Sequence, residues 1–133
     1  EALSDWLQTT AHDFNALTGM EVNVSSTSLV YPFKPSVKAQ VIRIVQEALT
    51  NIRKHAQANL VSISAVERKG EAVIEIHDNG IGFSREDIQT SQYGLRSMRE
   101  RAESIGADFQ VTSTSGAGTT VRLQVPIRDK VNP

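Results

Sequence analysis

The segment Asp78-Asn79-Gly80-Ile81-Gly82 places an acidic side chain beside two glycines, directly after an alternating apolar run at 72–77. A carboxylate at the end of a strand can accept a hydrogen bond from a ring that carries an amino group. Because glycines lack a Cβ, the backbone beside them can pass close to a flat ligand. The string alone is also typical of an ordinary turn, so its meaning depends on residues elsewhere in the chain.

A second polar group lies along the strongest predicted helix. Its apolar stripe consists of Val37, Val41, Ile44, Val45, Ala48, Leu49 and Ile52. At about 100° per residue, Glu47, Asn51 and Lys54 fall within about 60° of one another along one edge of that stripe. A carboxylate, a carboxamide oxygen and an ammonium in this order suit a hydrated Mg²⁺ and a polyphosphate. The solvated flank of any amphipathic helix would have the same appearance.

Two further patches follow later in the chain. Tyr93-Gly94-Leu95 begins the third predicted helix, whose free N–H groups and positive dipole end can face a phosphate. Gly116-Ala117-Gly118-Thr119 joins two alternating runs, and the Thr119 hydroxyl can reach a ring or a water beside Asp78. Taken singly, Arg99-Glu100-Arg101 in the third helix is also an ordinary charged helix face, and the second patch is also a hairpin turn.

Apolar periodicity predicts the elements that must position these residues. It predicts helices from residue 3 to Gly19, from an N-cap at Ser36 to Ile52, and from Leu95 to Gly106. It predicts strands at 20–25, 60–66, 72–77, 109–114 and 119–125, with a flexible polar loop over 83–93. This order predicts an α+β fold: a two-layer α/β sandwich with three helices on one face of a mixed sheet of about five strands.

Composition narrows the class of protein further. The 133 residues predict one domain with a single core, spanning 1–133. With 14 basic and 15 acidic residues, the near-neutral balance argues against a nucleic-acid partner. The absence of cysteine excludes disulfides and thiolate metal sites. Because the chain opens at Glu1 inside a helical pattern, we expect it to be part of a longer protein.

The four patches stand in a fixed order: Asn51 lies 27 residues before Asp78, Gly94 lies 16 after it, and Gly118 lies 24 further on. This arrangement resembles the four nucleotide-binding boxes of the Bergerat-type ATPase fold shared by DNA gyrase, heat-shock chaperones, histidine kinases and MutL. The sequences at 43–51 and 93–102 are similar to those of sensor histidine kinases of the nitrate/nitrite-sensor type. The short loop between the second and third boxes is also typical of that subfamily.

The resemblance implies that the ligands are ATP and Mg²⁺. Asp78 would bind the adenine amino group with help from Thr119, and Asn51 would hold the Mg²⁺. Lys54 would contact phosphates, while Glu47 would assist phosphoryl transfer. The other ATP-binding positions, which shape the pocket and its lid, would be Gly80, Gly82, Tyr93, Gly94, Leu95 and Gly118.

By the same resemblance, the chain is the cytoplasmic catalytic domain of an inner-membrane sensor protein in a two-component system. Its phosphoryl group would pass to a histidine on a separate dimerisation domain and then to a response regulator. We expect the chain alone to be monomeric, to bind ATP–Mg²⁺ and not to autophosphorylate, whereas the full-length kinase would be a homodimer. His12-Asp13 imitates the acceptor pair but lacks its charged context, so we interpret His12 as a helix-surface residue.

Two other functions stay open at this point. An anti-sigma-factor serine kinase would share all four boxes, although the sequence at 93–102 favours a histidine kinase. A non-catalytic interaction module would require that the chain bind no ATP. Nucleotide binding therefore separates the third hypothesis from the first two.

Overall fold

The computed structural model of the chain describes residues 3–26, 33–83 and 94–127. Within them lie three α-helices, α1 (Leu3–Thr18), α2 (Pro35–Asn51) and α3 (Leu95–Ser104). A π-helical turn, Ile52–Ala56, continues α2. The strands are β1 (Glu21–Ser26), β2 (Leu60–Arg68), β3 (Glu71–Asp78), β4 (Asp108–Thr114) and β5 (Gly118–Pro126).

The five strands form one mixed sheet in the order β1-β2-β3-β5-β4. β1 runs parallel to β2, and the other neighbouring strands are antiparallel. The alternation of apolar and polar residues turns one side of each strand toward the helices, as in β2, where Val61, Ile63 and Ala65 are buried. The predicted α+β fold with its three helices and mixed sheet is therefore confirmed.

The core lies between the sheet and the apolar stripes of the helices. Burying one Leu or Ile side chain contributes about 1.5–3 kcal/mol, so this layer is the main source of stability. Its largest fully buried side chains are Leu7, Ile44, Ile63, Ile74, Met98 and Leu123. His12 is exposed on α1, in agreement with its interpretation as a surface residue. Among the described residues, no helix is long and apolar enough to cross a membrane.

Two local predictions were wrong. The N-cap of α2 is Lys34 and not Ser36, because Pro35 occupies the first helical turn. Proline suits that position, since its missing N–H would have no partner inside the helix. The hairpin between β4 and β5 has a shorter loop than predicted, because β5 already begins at Gly118. Of the predicted loop at 83–93, residues 84–93 lie outside the described part of the chain.

Candidate functional site

A cleft between the helices and one end of the sheet brings the predicted patches together. It is lined by Asn51 from α2, Asp78 from the last position of β3, Leu95 from the start of α3 and Thr119 from β5. The other described residues of the lining are apolar: Ala48, Ile52, Ala56, Ile76, Phe83 and Val121. An apolar slot with a few convergent polar groups is typical of a site for a flat small molecule.

Asp78 is the buried acid of this cleft, with only 3% of its surface exposed. It lies directly opposite Thr119 in the antiparallel ladder between β3 and β5. Its Oδ1 accepts a hydrogen bond of 2.8 Å from the Gly80 N–H. Burial raises the pKa of Asp78 above its ordinary value, while the N–H groups of Gly80 and Thr119 and the neighbouring His77 oppose the rise. A buried carboxylate in a cleft is a candidate for ligand binding.

The loop after Asp78 is fastened to the segment that follows α2. The Asn79 Oδ1 accepts hydrogen bonds from the N–H groups of Asn59 and Leu60, both at 3.1 Å. The Ile81 N–H donates to the carbonyl of Ala56 at 2.8 Å. The sequence motif includes Asn79 but predicts no role for its side chain. These contacts show that the Asn79 side chain joins the Asp78 loop to the start of β2, while Ile81 joins the loop to the end of the π-helical turn that follows Asn51.

Two glycines permit backbone contacts that any side chain would block. A Cβ built on Gly80 would lie 2.1 Å from the Ala56 carbonyl oxygen. A Cβ built on Gly118 would lie 1.9 Å from the Asp78 carbonyl oxygen, and Gly118 has a φ of +97°. Gly80 therefore lets the loop approach the π-helical turn after α2, and Gly118 lets β5 approach the strand end that carries Asp78.

Sequence reasoning missed Ser113, which connects three parts of the cleft. Its hydroxyl lies 2.8 Å from the Thr119 hydroxyl and accepts the Phe83 N–H at 2.5 Å. It also donates to the Gly118 carbonyl at 3.2 Å. No sequence signal marked it, because the predicted four-residue turn would set Thr114 opposite Thr119, whereas the structure pairs Ser113 with Thr119 across the β4–β5 hairpin. Ser113 therefore ties the predicted base-contacting hydroxyl to the end of the Asp78 loop.

Glu47 lies at the other end of the site, facing α3. Its Oε1 is 3.5 Å from the Arg101 Nε, and both side chains are 29% exposed. Gly94 caps α3 with a left-handed φ of +68°, and a Cβ there would lie 3.1 Å from the Glu47 Oε2. Glu47 is thus held between the start of α3 and an arginine two turns further along that helix.

The remaining predicted site residues are placed differently. Lys54 is exposed in the π-helical turn and does not line the cleft. The position around the helix axis that α-helical geometry predicts for Lys54 does not apply, because a π-turn closes over more residues than an α-turn. Gly82 ends the Asp78 loop with a φ of +75°. Tyr93 lies outside the described residues.

The donors near the cleft also fit a magnesium ion shared with a polyphosphate. Mg²⁺ is usually bound through one or two protein oxygens, several waters and substrate phosphates. Asn51 offers a carboxamide oxygen at the cleft wall, and Glu47 offers a carboxylate one helical turn earlier. Within the described ranges, no three His, Cys, Asp or Glu side chains group as a self-sufficient metal site.

Comparison with known proteins gives a consistent result. Residues 36–129 match the family described as histidine kinase-, DNA gyrase B-, and HSP90-like ATPase. The sensor histidine kinase LiaS of Bacillus subtilis (strain 168) is 40% identical over 91 residues, which are 68% of this chain and 25% of LiaS. The oxygen sensor histidine kinase NreB of Staphylococcus carnosus (strain TM300) is 36% identical over 112 residues, 84% of this chain and 32% of NreB. The chain spans a quarter to a third of these curated relatives.

Solved structures share the fold. The ATP binding domain of PrrB from Mycobacterium tuberculosis superposes with a TM-score of 0.80 and 24% identity, over 97% of this chain and 96% of that one. The blue-light activated histidine kinase EL346 of Erythrobacter litoralis gives a TM-score of 0.81 at 24% identity, over 95% of this chain and 42% of that chain.

These comparisons confirm the predicted resemblance to sensor histidine kinases. The relatives described above give no support to the anti-sigma-factor alternative. Because the matched family is one of ATPases, the comparison implies that the chain binds ATP. The chain belongs to the histidine kinase-, DNA gyrase B- and HSP90-like ATPase family, and its sequence is similar to the ATPase domains of sensor histidine kinases.

Proposed function

We propose that residues 1–133 form the catalytic, ATP-binding domain of a two-component sensor histidine kinase. The observation that carries this proposal is the buried Asp78 carboxylate, which shares an apolar cleft with Asn51, Leu95 and Thr119 from three other elements. Similarity to proteins named as sensor histidine kinases supports a histidine as the acceptor of the phosphoryl group. That histidine would belong to a separate dimerisation domain of the same protein.

The adenine end of the site uses Asp78 and Thr119. The Asp78 carboxylate accepts a hydrogen bond from the adenine amino group, and the apolar walls of the cleft cover the faces of the ring. Because the carboxylate is already buried, a ligand donor adds an interaction without a further desolvation cost for that acid. The Thr119 hydroxyl, oriented by Ser113, contacts the ring edge or a water beside it.

The phosphate end uses α2 and the start of α3. Asn51 would hold Mg²⁺, which when bound would neutralise phosphate charge, while Lys54 and the N–H groups near Gly94 contact phosphate oxygens. An acceptor imidazole nitrogen then forms a bond to the γ-phosphorus as the bond from that phosphorus to the bridging oxygen breaks and ADP leaves. Glu47 takes the proton that the imidazole loses from its other ring nitrogen.

We further propose a cellular setting for the whole protein. The chain would be the cytoplasmic part of an inner-membrane sensor, and its phosphohistidine would supply a response regulator. The full-length kinase would be a homodimer through its histidine-bearing domain, whereas residues 1–133 alone would be monomeric. Sedimentation of the chain at micromolar concentration tests the last statement.

Calorimetry and radiolabelling test the proposal directly. The chain should bind ATP with a stoichiometry of one, and more tightly with Mg²⁺ than with EDTA. With γ-labelled ATP, the chain alone should stay unlabelled, and label should appear on an added histidine-bearing domain of the same protein. Absence of ATP binding would overturn the proposed function altogether. Labelling of His12 would contradict the assignment of the acceptor to another domain.

Replacing the proposed metal ligand should remove the effect of Mg²⁺ on affinity. Because loss of even an indirect partner of a bound metal typically weakens its binding 10- to 100-fold, Asn51→Ala should lower ATP–Mg²⁺ affinity at least about tenfold. Affinity measured in EDTA should change little. Gln46→Ala, an exposed neighbour on α2, is the matched control and should keep the Mg²⁺ dependence. An equal loss for Asn51→Ala with and without Mg²⁺ would show that Asn51 is not a metal ligand.

Removing the Ser113 hydroxyl should weaken nucleotide binding moderately. Ser113→Ala deprives the Phe83 N–H of its acceptor and the Thr119 hydroxyl of its partner. At about 0.5–1.5 kcal/mol for a hydrogen bond, ATP affinity should fall roughly 2- to 12-fold. Titration calorimetry measures this change. The control Ser115→Ala, in the exposed hairpin turn, should bind ATP with wild-type affinity. Wild-type affinity in Ser113→Ala would show that Ser113 does not contribute to the site.

A further inference from the structure

Arg101 connects the two helices that border the phosphate end of the site. Its Nη1 donates to the Gln40 Oε1 at 3.1 Å, and its Nε lies 3.5 Å from the Glu47 Oε1. Gln40 and Glu47 are seven residues apart on α2, so they lie along the same edge of that helix. The guanidinium therefore bridges two turns of α2 from its position on α3.

Glu47 needs such a restraint if it acts as a base. A free glutamate side chain loses rotamer entropy when it is fixed in one orientation. At 29% exposure, Glu47 is not held by close packing on all sides. Both of its oxygens nevertheless face α3, since Oε1 is beside Arg101 and Oε2 is beside Gly94. The carboxylate orientation is thus determined by α3.

The Arg101 Nε is unusual in its own right. It is buried and makes no hydrogen bond with the described part of the protein. A buried donor without a hydrogen-bond partner is destabilising, so a small movement of the Glu47 carboxylate toward it would be favourable. An arginine suits this task better than a lysine, because its planar fork can hold Gln40 and Glu47 at the same time.

We propose that Arg101 is a positioning residue for phosphoryl transfer. Its guanidinium, anchored on Gln40, holds the Glu47 carboxylate at the start of α3, where the acceptor imidazole releases its proton. This inference rests on the proposed function, in which Glu47 is the proton acceptor. It adds a residue that acts through Glu47 and does not touch the nucleotide.

Single-turnover phosphoryl transfer from γ-labelled ATP to the added histidine-bearing domain tests this role. Arg101→Ala should lower the rate at saturating ATP about tenfold or more, because a positioned base contributes about 10²- to 10⁴-fold. ATP affinity measured by calorimetry should stay within about threefold, since Arg101 makes no nucleotide contact. Arg101→Lys should restore part of the rate. Arg122→Ala, which breaks an ion pair with Glu75 on the other face of the sheet, is the control and should keep the wild-type rate.

The decisive comparison uses the Glu47→Gln background. If Arg101 acts through Glu47, Arg101→Ala should cause no further loss there, because interacting residues are not additive. A full additional loss would indicate a separate role and overturn the proposal, as would a wild-type rate for Arg101→Ala. If circular dichroism shows that Arg101→Ala is unfolded, the transfer rates of Gln40→Ala and Arg101→Lys test the proposal instead. Wild-type rates in both variants would overturn it. Failure of the wild type to bind ATP would instead overturn the proposed function.

Discussion

Asp78→Asn should abolish most of the affinity for ATP and leave the fold intact. The exchange keeps the size of the side chain and removes the negative charge that accepts the adenine amino hydrogen bond. A hydrogen bond to a charged group contributes about 1.5–3 kcal/mol, which predicts a loss of roughly 10- to 150-fold in affinity. Titration calorimetry with ATP and Mg²⁺ measures it. Glu75→Gln makes the same exchange on the opposite face of β3 and should bind like the wild type.

The same variant should unfold at a temperature equal to or above that of the wild type at neutral pH. Burial raises the folded-state pKa of Asp78 above its ordinary value of 3.8, so the native state binds its proton more readily than the unfolded chain does. Wild-type stability from this group is therefore fully present below that ordinary value and is lost as pH rises through the raised pKa. The asparagine carries no charge to bury and avoids this loss.

Thermal unfolding across pH distinguishes this explanation from a merely structural role for Asp78. The advantage of Asp78→Asn should be largest at neutral pH and should shrink as pH falls toward the ordinary pKa of an aspartate. A variant that was less stable at neutral pH would show that the hydrogen bonds to the Gly80 and Thr119 N–H groups outweigh the burial of charge. Higher stability with lost binding would identify Asp78 as a residue whose placement serves a ligand.

Much of the fold was predictable because its elements are strongly periodic. The apolar stripe of α2 and the alternation in β2, β3 and β5 specify which side of each element faces the core. The position of Asp78 followed from the same pattern, since the alternation stops where the glycine-bearing loop begins. The resemblance to the four-box ATPase fold then implied that α2, β3, α3 and β5 meet at one site, and the structure places Asn51, Asp78, Leu95 and Thr119 in one cleft.

Contacts that change when two strands pair one residue out of register were not predictable in the same way. A four-residue turn at 115–118 would have set Thr114 opposite Thr119, but the shorter loop sets Ser113 there. Since side chains alternate between faces, this shift decides which hydroxyl points at the cleft. The π-helical turn after Asn51 likewise changes the direction of Lys54, and the apolar periodicity of the sequence does not predict this turn. The contact of Glu47 with Arg101 depends on how α3 packs against α2.

Gly118→Ala should destabilise the fold and the site together. Its Cβ would lie 1.9 Å from the carbonyl oxygen of Asp78, so β5 would have to move away from the strand end that carries the buried acid. Overpacking costs about 1–3 kcal/mol, and the positive φ adds roughly 1–2 kcal/mol. We therefore expect a loss of about 2–5 kcal/mol in the free energy of unfolding, with weaker ATP binding, measured by urea denaturation and calorimetry.

Gly116→Ala separates the two causes of that loss. Gly116 has a similar φ of +82°, but a Cβ there would meet nothing within 4 Å. Its substitution should therefore cost only the left-handed conformation, about 1–2 kcal/mol, and should leave ATP affinity unchanged. Because both glycines belong to the same hairpin, the difference between the two variants isolates the contact with Asp78. If Gly118→Ala and Gly116→Ala lost the same stability and bound ATP equally well, β5 would be able to shift at Gly118 without moving Asp78.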